Sequence, residues 1–218
     1  MTPSSTILPE NAFVLDDQKR GLRLTPRSPF THPILPQGKQ TAGLVFTERN
    51  DLALIGIGAL GRDMRALASR VKTMYGIALP DGPAYANAGR AIFIGLGPGQ
   101  WLAAVEATTG QNAMVELALK LGDGAVLVDQ SDAKCVLRLS GPPTREVLMR
   151  GLPLDLHSRA FQPGCAAQTV VEHISVLIWQ VDDAPTYDIA VPRSYAESFW
   201  RWLTASAAPY GVLTSDRG

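Results

Sequence analysis

Six consecutive residues, Gly56-Ile57-Gly58-Ala59-Leu60-Gly61, carry the sharpest chemical signal in the sequence. They match G-x-G-x-x-G, follow an apolar run that reads as a strand and open a segment that reads as a helix. In a dinucleotide-binding turn the second glycine lets the backbone approach a pyrophosphate, and the helix N-terminus offers its positive end to the phosphates. Asp81 lies 20 residues beyond Gly61, where a ribose-binding acid belongs in such a unit. Three observations oppose that chemistry. The strand before Asp81 would span only residues 76–79, cut short by Pro80. Strands further on come in adjacent pairs, so a doubly wound parallel sheet is hard to build. Glycines between a strand and a helix also serve plain tight turning. The expectation is a structural turn that holds no dinucleotide.

Other chemistry-bearing types are dispersed. Asp182-Asp183 precede Ala184-Pro185. Two acids could share acid/base work in a cleft, but between two apolar strands D-D-A-P is a turn sequence with solvated carboxylates. Cys135 and Cys165 form no C-x-x-C pair, and His32, His157 and His173 are scattered, so a zinc site would need chance convergence in space. Both cysteines read as small buried hydrophobes that stay thiols. No G-x-S-x-G nucleophile turn is present. His157 ends an alternation of Leu152, Leu154 and Leu156, which predicts a half-buried extended segment and a structural histidine. Phe199, Trp200 and Trp202 could stack a ring ligand. Helical spacing makes Phe199 and Trp202 core residues, with Trp200 about 110° from the centre of the apolar face. That offset predicts the rim of the core or an interface.

The elements that must position these residues come from a chain of 218 residues, 46% of them hydrophobic, enough for one core or two small halves packed as a unit. Twenty Lys and Arg balance 20 Asp and Glu. Such a chain has no long-range field to draw nucleic acid or an anionic membrane. Its opening lacks the basic start and apolar core of a signal peptide. The longest nearly apolar run, residues 52–60, falls short of the about 20 a bilayer span needs. The expectation is a soluble, cytoplasmic protein.

Residues 1–42 hold six of the 16 prolines, which predicts an extended, irregular N-terminal arm. A domain over 43–211 follows, in two similar halves at about 43–122 and 123–211. In the first, residues 52–57 read as a strand. Met64, Leu67, Ala68, Val71, Met74 and Tyr75 line one face of a helix. Strands at 91–95 and 101–106 join through Gly97-Pro98-Gly99, and a helix over 111–121 has Thr108 and Gln111 at capping-box spacing. In the second half, strands at 125–129 and 135–139 precede a short helix opened by Ser140-Gly141-Pro142 and running to about Arg150. Strands at 168–172, 175–181 and 187–191 lead to a last helix from Ser194, with Glu197 completing a capping box. The order repeats at an offset near about 80 residues. Many short strands with few helices predict an α+β fold of duplicated strand-helix-strand-strand-helix halves, with helices packed on largely antiparallel sheets.

Several linked motifs then carry a resemblance. They are Asp129-Gln130-Ser131-Asp132, Val136-Leu137-Arg138-Leu139-Ser140-Gly141-Pro142, Gly151-Leu152-Pro153-Leu154-Asp155-Leu156-His157 and Phe161-Gln162-Pro163-Gly164. Further on, Ala167-Gln168-Thr169, Tyr187-Asp188, Pro192-Arg193-Ser194-Tyr195 and Phe199-Trp200-Arg201-Trp202-Leu203 follow in order. Earlier, Gly76-Ile77-Ala78-Leu79-Pro80 and Leu96-Gly97-Pro98-Gly99-Gln100-Trp101-Leu102 also fit. Together they resemble the gamma subunit of heterotetrameric sarcosine oxidase, densely over residues 70–211 and loosely over the first 60. The resemblance implies a fold similar to the folate-binding region of aminomethyltransferases, the T-protein of glycine cleavage. It implies a non-catalytic accessory subunit of an oxidoreductase complex that demethylates sarcosine to glycine, releasing the one-carbon unit as formaldehyde or passing it to tetrahydrofolate. It also implies alpha, beta and delta partner subunits, and FAD, FMN and NAD held by those partners with none in this chain. The Gly-Gly-x-x-Asp-Asp element of aminomethyltransferases is represented only by Asp182-Asp183 without the glycines. No catalytic, cofactor-binding or metal-binding residue is therefore carried over. Trp200, Leu154 and Phe161 are the candidate partner interface. The competing reading is a stand-alone enzyme, either folate-dependent and aminomethyltransferase-like or NAD-binding.

Overall fold

Helix, sheet, sheet and helix stack in that order, and the period-2 alternation of the strands decides what each layer faces. A computed structural model of the chain describes residues 28–30, 43–61, 64–106 and 113–217, with side chains to residue 214. In chain order the elements are β1 (Leu44–Arg49), β2 (Leu52–Ala59), α1 (Met64–Tyr75), β3 (Tyr85–Asn87), β4 (Ala91–Gly97), β5 (Gln100–Glu106), α2 (Ala113–Leu121), β6 (Ala125–Asp129) and β7 (Lys134–Ser140). Then come α3 (Thr144–Leu148), β8 (Ala166–Val171), β9 (Ile174–Asp182), β10 (Thr186–Pro192), α4 (Ala196–Ala207) and β11 (Val212–Arg217).

One sheet has the order β3-β4-β5-β2-β6 and the other β11-β1-β7-β10-β9-β8. The pairing of β1 with β11 is parallel. In the first sheet Ile55, Ile57 and Phe93 face outward, onto Leu67, Val71, Leu117 and Leu121 of α1 and α2. Leu54, Ile94 and Leu102 point the other way and meet Leu177, Trp179 and Ala190 between the sheets. Ile178 and Ile189 of the second sheet face outward, onto Val147, Phe199 and Leu203 of α3 and α4. β9 and β10 are thus apolar on both faces, which is why they read as near-continuous hydrophobic runs. At one edge the sheets are sewn together: Tyr85 N donates to Gly164 O at 2.8 Å and Ala166 N to Pro83 O at 3.2 Å. A Cβ at Gly95 would lie 2.1 Å from the Gly82 carbonyl oxygen, so that glycine is required by a close backbone approach.

The duplication is present. β2-α1-β3-β4-β5-α2 and β7-α3-β8-β9-β10-α4 follow the same order, and their strands take matching places, β3-β4-β5-β2 against β8-β9-β10-β7. The halves at 43–122 and 123–211 do not each own a sheet, however. β1 joins the second sheet and β6 the first, so the halves exchange strands, and β11 carries the fold past residue 211. Sequence reading missed β1, β3 and β11. β3 is only three residues long, and the parallel β1–β11 pair joins the two ends of the described fold, which local alternation cannot reveal.

One capping expectation differs from the structure. Arg193–Tyr195 form a 3₁₀ turn and α4 begins at Ala196, with Tyr195 at its N-cap and no side-chain cap bond, so Ser194 and Glu197 make no capping box. The other capping pair, Thr108 and Gln111, lies outside the described residues, as do the prolines at 33 and 36. Residues 152–156 form no strand, though Leu152 and Leu156 are buried and Leu154 half-buried as the alternation predicts.

The β8–β9 hairpin turns through Glu172 (φ 51°) and His173 (φ 128°), a region that disfavours side chains. His173→Gly is expected to raise stability by about 1 kcal/mol as that strain is relieved. An unchanged or lower urea midpoint would contradict it.

Candidate functional site

The glycine motif does not sit where a dinucleotide turn would place it. Gly56 and Gly58 lie inside β2, and only Gly61 (φ 64°) belongs to the turn that follows. Both neighbours of β2, β5 and β6, run antiparallel to it, so no crevice between parallel strands opens at its end. The Gln130 side chain fills the space beside Gly56, while nothing lies within 4 Å of a Cβ built on Gly58. Gly58→Ala is therefore expected to be neutral or stabilising by up to about 1 kcal/mol, the usual penalty of glycine inside a strand. Thermal melting of the variant checks this, and a clear loss of stability would mean the position needs glycine.

Asp182 is exposed and closes the β9–β10 turn: its Oδ1 accepts from Ala184 N at 2.9 Å and Thr186 N at 3.1 Å. His157 is a loop residue whose Nδ1 accepts from Arg159 N at 3.2 Å. Burial pushes the Cys135 thiol up to about 12, outweighing the opposing field of Arg193, so it stays protonated at neutral pH. Cys165 is half-buried beside the seam between the sheets. Among the described residues no cluster of His, Cys, Asp and Glu converges as a metal site.

What tertiary structure does assemble is a cluster of charges in a cleft of about 210 Å³ between the two sheets. Tyr85, Asn87, Arg90 and Glu106 line it from one sheet, and Arg49, Arg138, Trp179 and Asp188 from the other. Asp188 is 2% exposed. It faces Arg138 across the β10–β7 pairing and accepts from Arg138 Nε and Nη2, each at 2.7 Å. Arg49 Nη1 adds a third contact at 3.4 Å, while Arg49 Nε and Nη2 hold Asp51 at 2.7 and 2.8 Å. Burial works against the Arg49 charge, but the Asp51 hydrogen bond and the fields of Asp188 and Asp51 prevail and hold its pKa above the ordinary value. Burial raises the Tyr85 phenol, which donates to Gln180 O at 2.8 Å, so it too stays protonated at neutral pH. The arginine forks are taken up by carboxylates of the same chain. The cluster therefore ties three strands, β1, β7 and β10, together. The available signal in sequence was a charge inside an apolar strand, Asp188 in Tyr187-Asp188-Ile189-Ala190-Val191.

A second cavity of about 310 Å³ lies on the helix side, lined by Tyr75, Arg90, Glu106, Glu116, Leu117 and Lys120. There Lys120 Nζ is 2.6 Å from Glu116 and 4.7 Å from the centre of the Tyr75 ring, an exposed i,i+4 pair over an aromatic face.

Of the three residues assigned to a partner interface, Trp200 and Phe161 are buried within the chain and Leu154 is half-buried. Trp200 is 6% exposed, its ring 5.9 Å from Phe46 and 5.3 Å from Phe30. Phe161 is 5% exposed, packed on Tyr187, and Leu154 is half-buried against the same core. The wheel set Trp200 far off centre because it took Trp202 into the apolar face and left out Ala196 and Ala207, which are buried in α4. Around the true stripe of Ala196, Phe199, Leu203 and Ala207, Trp200 lies about 55° off centre and Trp202 about 105° off on the opposite flank. Trp202 is buried by Gly151, where a Cβ would come within 2.5 Å of the indole.

Two largely antiparallel sheets with helices on their outer faces make an α+β fold. The glycine cleavage aminomethyltransferase T of Bartonella henselae superposes with a TM-score of 0.58 over 79% of this chain and 48% of its own, at 16% identity, a likeness of fold alone. The chain belongs to the sarcosine oxidase gamma subunit family, whose model matches residues 61–209. It is 31% identical to a sarcosine oxidase subunit gamma of Arthrobacter sp over 86% of this chain and 93% of that one. A sarcosine oxidase subunit gamma of Corynebacterium sp. (strain P-1) is 40% identical over 111 residues, spanning 50% of this chain and 52% of the relative. A heterotetrameric sarcosine oxidase from Corynebacterium sp. U-96, solved with pyrrole 2-carboxylate, superposes with a TM-score of 0.65 at 26% identity, over 77% of this chain and 85% of the matched one. No helix among the described residues is long and apolar enough to cross a membrane.

Proposed function

We propose that this chain is a non-catalytic accessory subunit of a cytoplasmic heterotetrameric sarcosine oxidase. The complex oxidatively demethylates sarcosine to glycine and releases the one-carbon unit as formaldehyde or passes it to tetrahydrofolate. Alpha, beta and delta subunits are its partners, and FAD, FMN and NAD belong to them. The observation that carries this reading is likeness to a gamma subunit along 86% of the chain, covering 93% of that relative. The chain's own chemistry is consistent with it: Asp188, Arg138 and Arg49 of the inter-sheet cleft are paired with one another, and the Cys135 thiol is held protonated. The test is to express the flavin-bearing subunits with and without this chain. Sarcosine-dependent oxygen uptake should belong to the assembly that contains it, and the purified chain should turn over no sarcosine, with or without added FAD and FMN. Turnover scaling with the concentration of the lone chain would sink the accessory role.

A further inference from the structure

Phe46 of β1 packs edge-on against Trp200 of α4, 5.9 Å between centroids, and Glu48 lies two residues further along the same strand. Phe46 and Glu48 alternate along β1 onto the face that carries α4. Glu48 is 5% exposed, and its Oε1 accepts no hydrogen bond among the described residues. A carboxylate that deep needs donors, because an oxygen stripped of water without a replacement bond is costly. Its other oxygen, Oε2, takes the Ser28 hydroxyl at 2.6 Å. That hydroxyl in turn accepts from Phe30 N at 3.0 Å, which bends Ser28-Pro29-Phe30 into a short turn. The turn aims the Phe30 ring at Trp200, 5.3 Å between centroids at an interplanar angle of 41°. Pro29, between the two anchors, has its φ fixed by its ring, so the tripeptide loses little freedom when it docks.

We propose that Trp200 and Glu48 together form a peptide-recognition site that takes a serine-proline-aromatic turn, and that its occupant is the chain's own Ser28-Pro29-Phe30. The recognition has two parts: an aromatic plug on Trp200 and a hydroxyl donor for the buried Glu48 carboxylate. The site is filled in cis because the same chain enters β1 at Leu44, shortly after Phe30, which holds the turn at high effective concentration. The N-terminal arm is thereby clasped to the folded body at residues 28–30, and Trp200 owes its burial to the clasp as well as to α4.

Quenching of tryptophan emission by acrylamide in the full-length chain tests this. Trp101, Trp179, Trp200 and Trp202 are all buried, so uncovering one of them is visible. Phe30→Ala is expected to raise the quenching slope by about twofold with the cooperative melt retained, as local opening does. Ser28→Ala, which leaves the ring in place, should raise it less. Trp200→Phe should abolish the response to Phe30→Ala, tying it to this one indole. A synthetic peptide of residues 26–34, added to the Phe30→Ala chain, should restore protection at roughly millimolar concentration. The same peptide with alanine for Phe30 should not. An unchanged slope in Phe30→Ala, a response that survives Trp200→Phe, or failure of the peptide to restore protection would each overturn the proposal.

Discussion

Asp188→Ala should destabilise this protein by about 3–5 kcal/mol, the usual cost of removing one member of a buried ion pair. The carboxylate is enclosed between the Arg138 fork and the tip of Arg49. Without it, both guanidinium groups keep their charge in a cleft where little water replaces the lost acceptor. For a chain of this size about 1 kcal/mol moves the melting temperature by a few degrees, so a fall of roughly 10 °C is the readout. Removing the pair together separates attraction from burial. Asp188→Leu combined with Arg138→Met should recover most of the loss, because two apolar side chains carry no desolvation cost. A loss below about 1 kcal/mol for Asp188→Ala would show instead that the pair is solvated and of the weak surface kind.

Trp200→Ala and Trp202→Ala should each cost about 3–5 kcal/mol, as large buried aromatics do when truncated. Both indoles are buried by this chain's own residues, Trp200 by Phe46 and Phe30, Trp202 by Phe199 and the bare backbone of Gly151. Neither site can collapse easily. The floor under Trp200 is the β1 strand, and the wall beside Trp202 is backbone with no side chain to fill the gap. Urea melts of the two variants measure this directly. Near-neutral Trp200→Ala beside a costly Trp202→Ala would return Trp200 to the surface role that the helical wheel first suggested.

Much of the fold was legible because it rests on short-range periodicity. The i, i+3, i+4 spacing of Met64 to Tyr75 placed α1 at its observed bounds. Alternation and turn residues located β4, β5, β7, β9 and β10 within a residue or two. The burial of those elements was less legible. Met64 and Met74 lie on the predicted apolar face of α1 yet remain half exposed, because the helix rests on the sheet through Leu67, Val71 and the Tyr75 ring on Phe93. The glycine run shows the same limit. Its spacing was plain, but whether its glycines form a phosphate-binding turn depends on the direction of β5 and β6, which belong to other parts of the chain.

By itself, then, the sequence determined the order of every element but β1, β3 and β11, the repeat of that order and the family, since linked motifs along 70–211 are a one-dimensional property. Only the tertiary structure decided which sheet each strand joins, so that β1 and β6 change places between the halves. It alone brought Arg49, Asp51, Arg138 and Asp188 together from three parts of the chain, and laid Phe30 over Trp200. The physical reason is range. Backbone periodicity and turn chemistry act over a few residues and leave a local trace, whereas charge pairing and aromatic packing act through space between residues as far apart in sequence as Arg49 and Asp188 or Phe30 and Trp200.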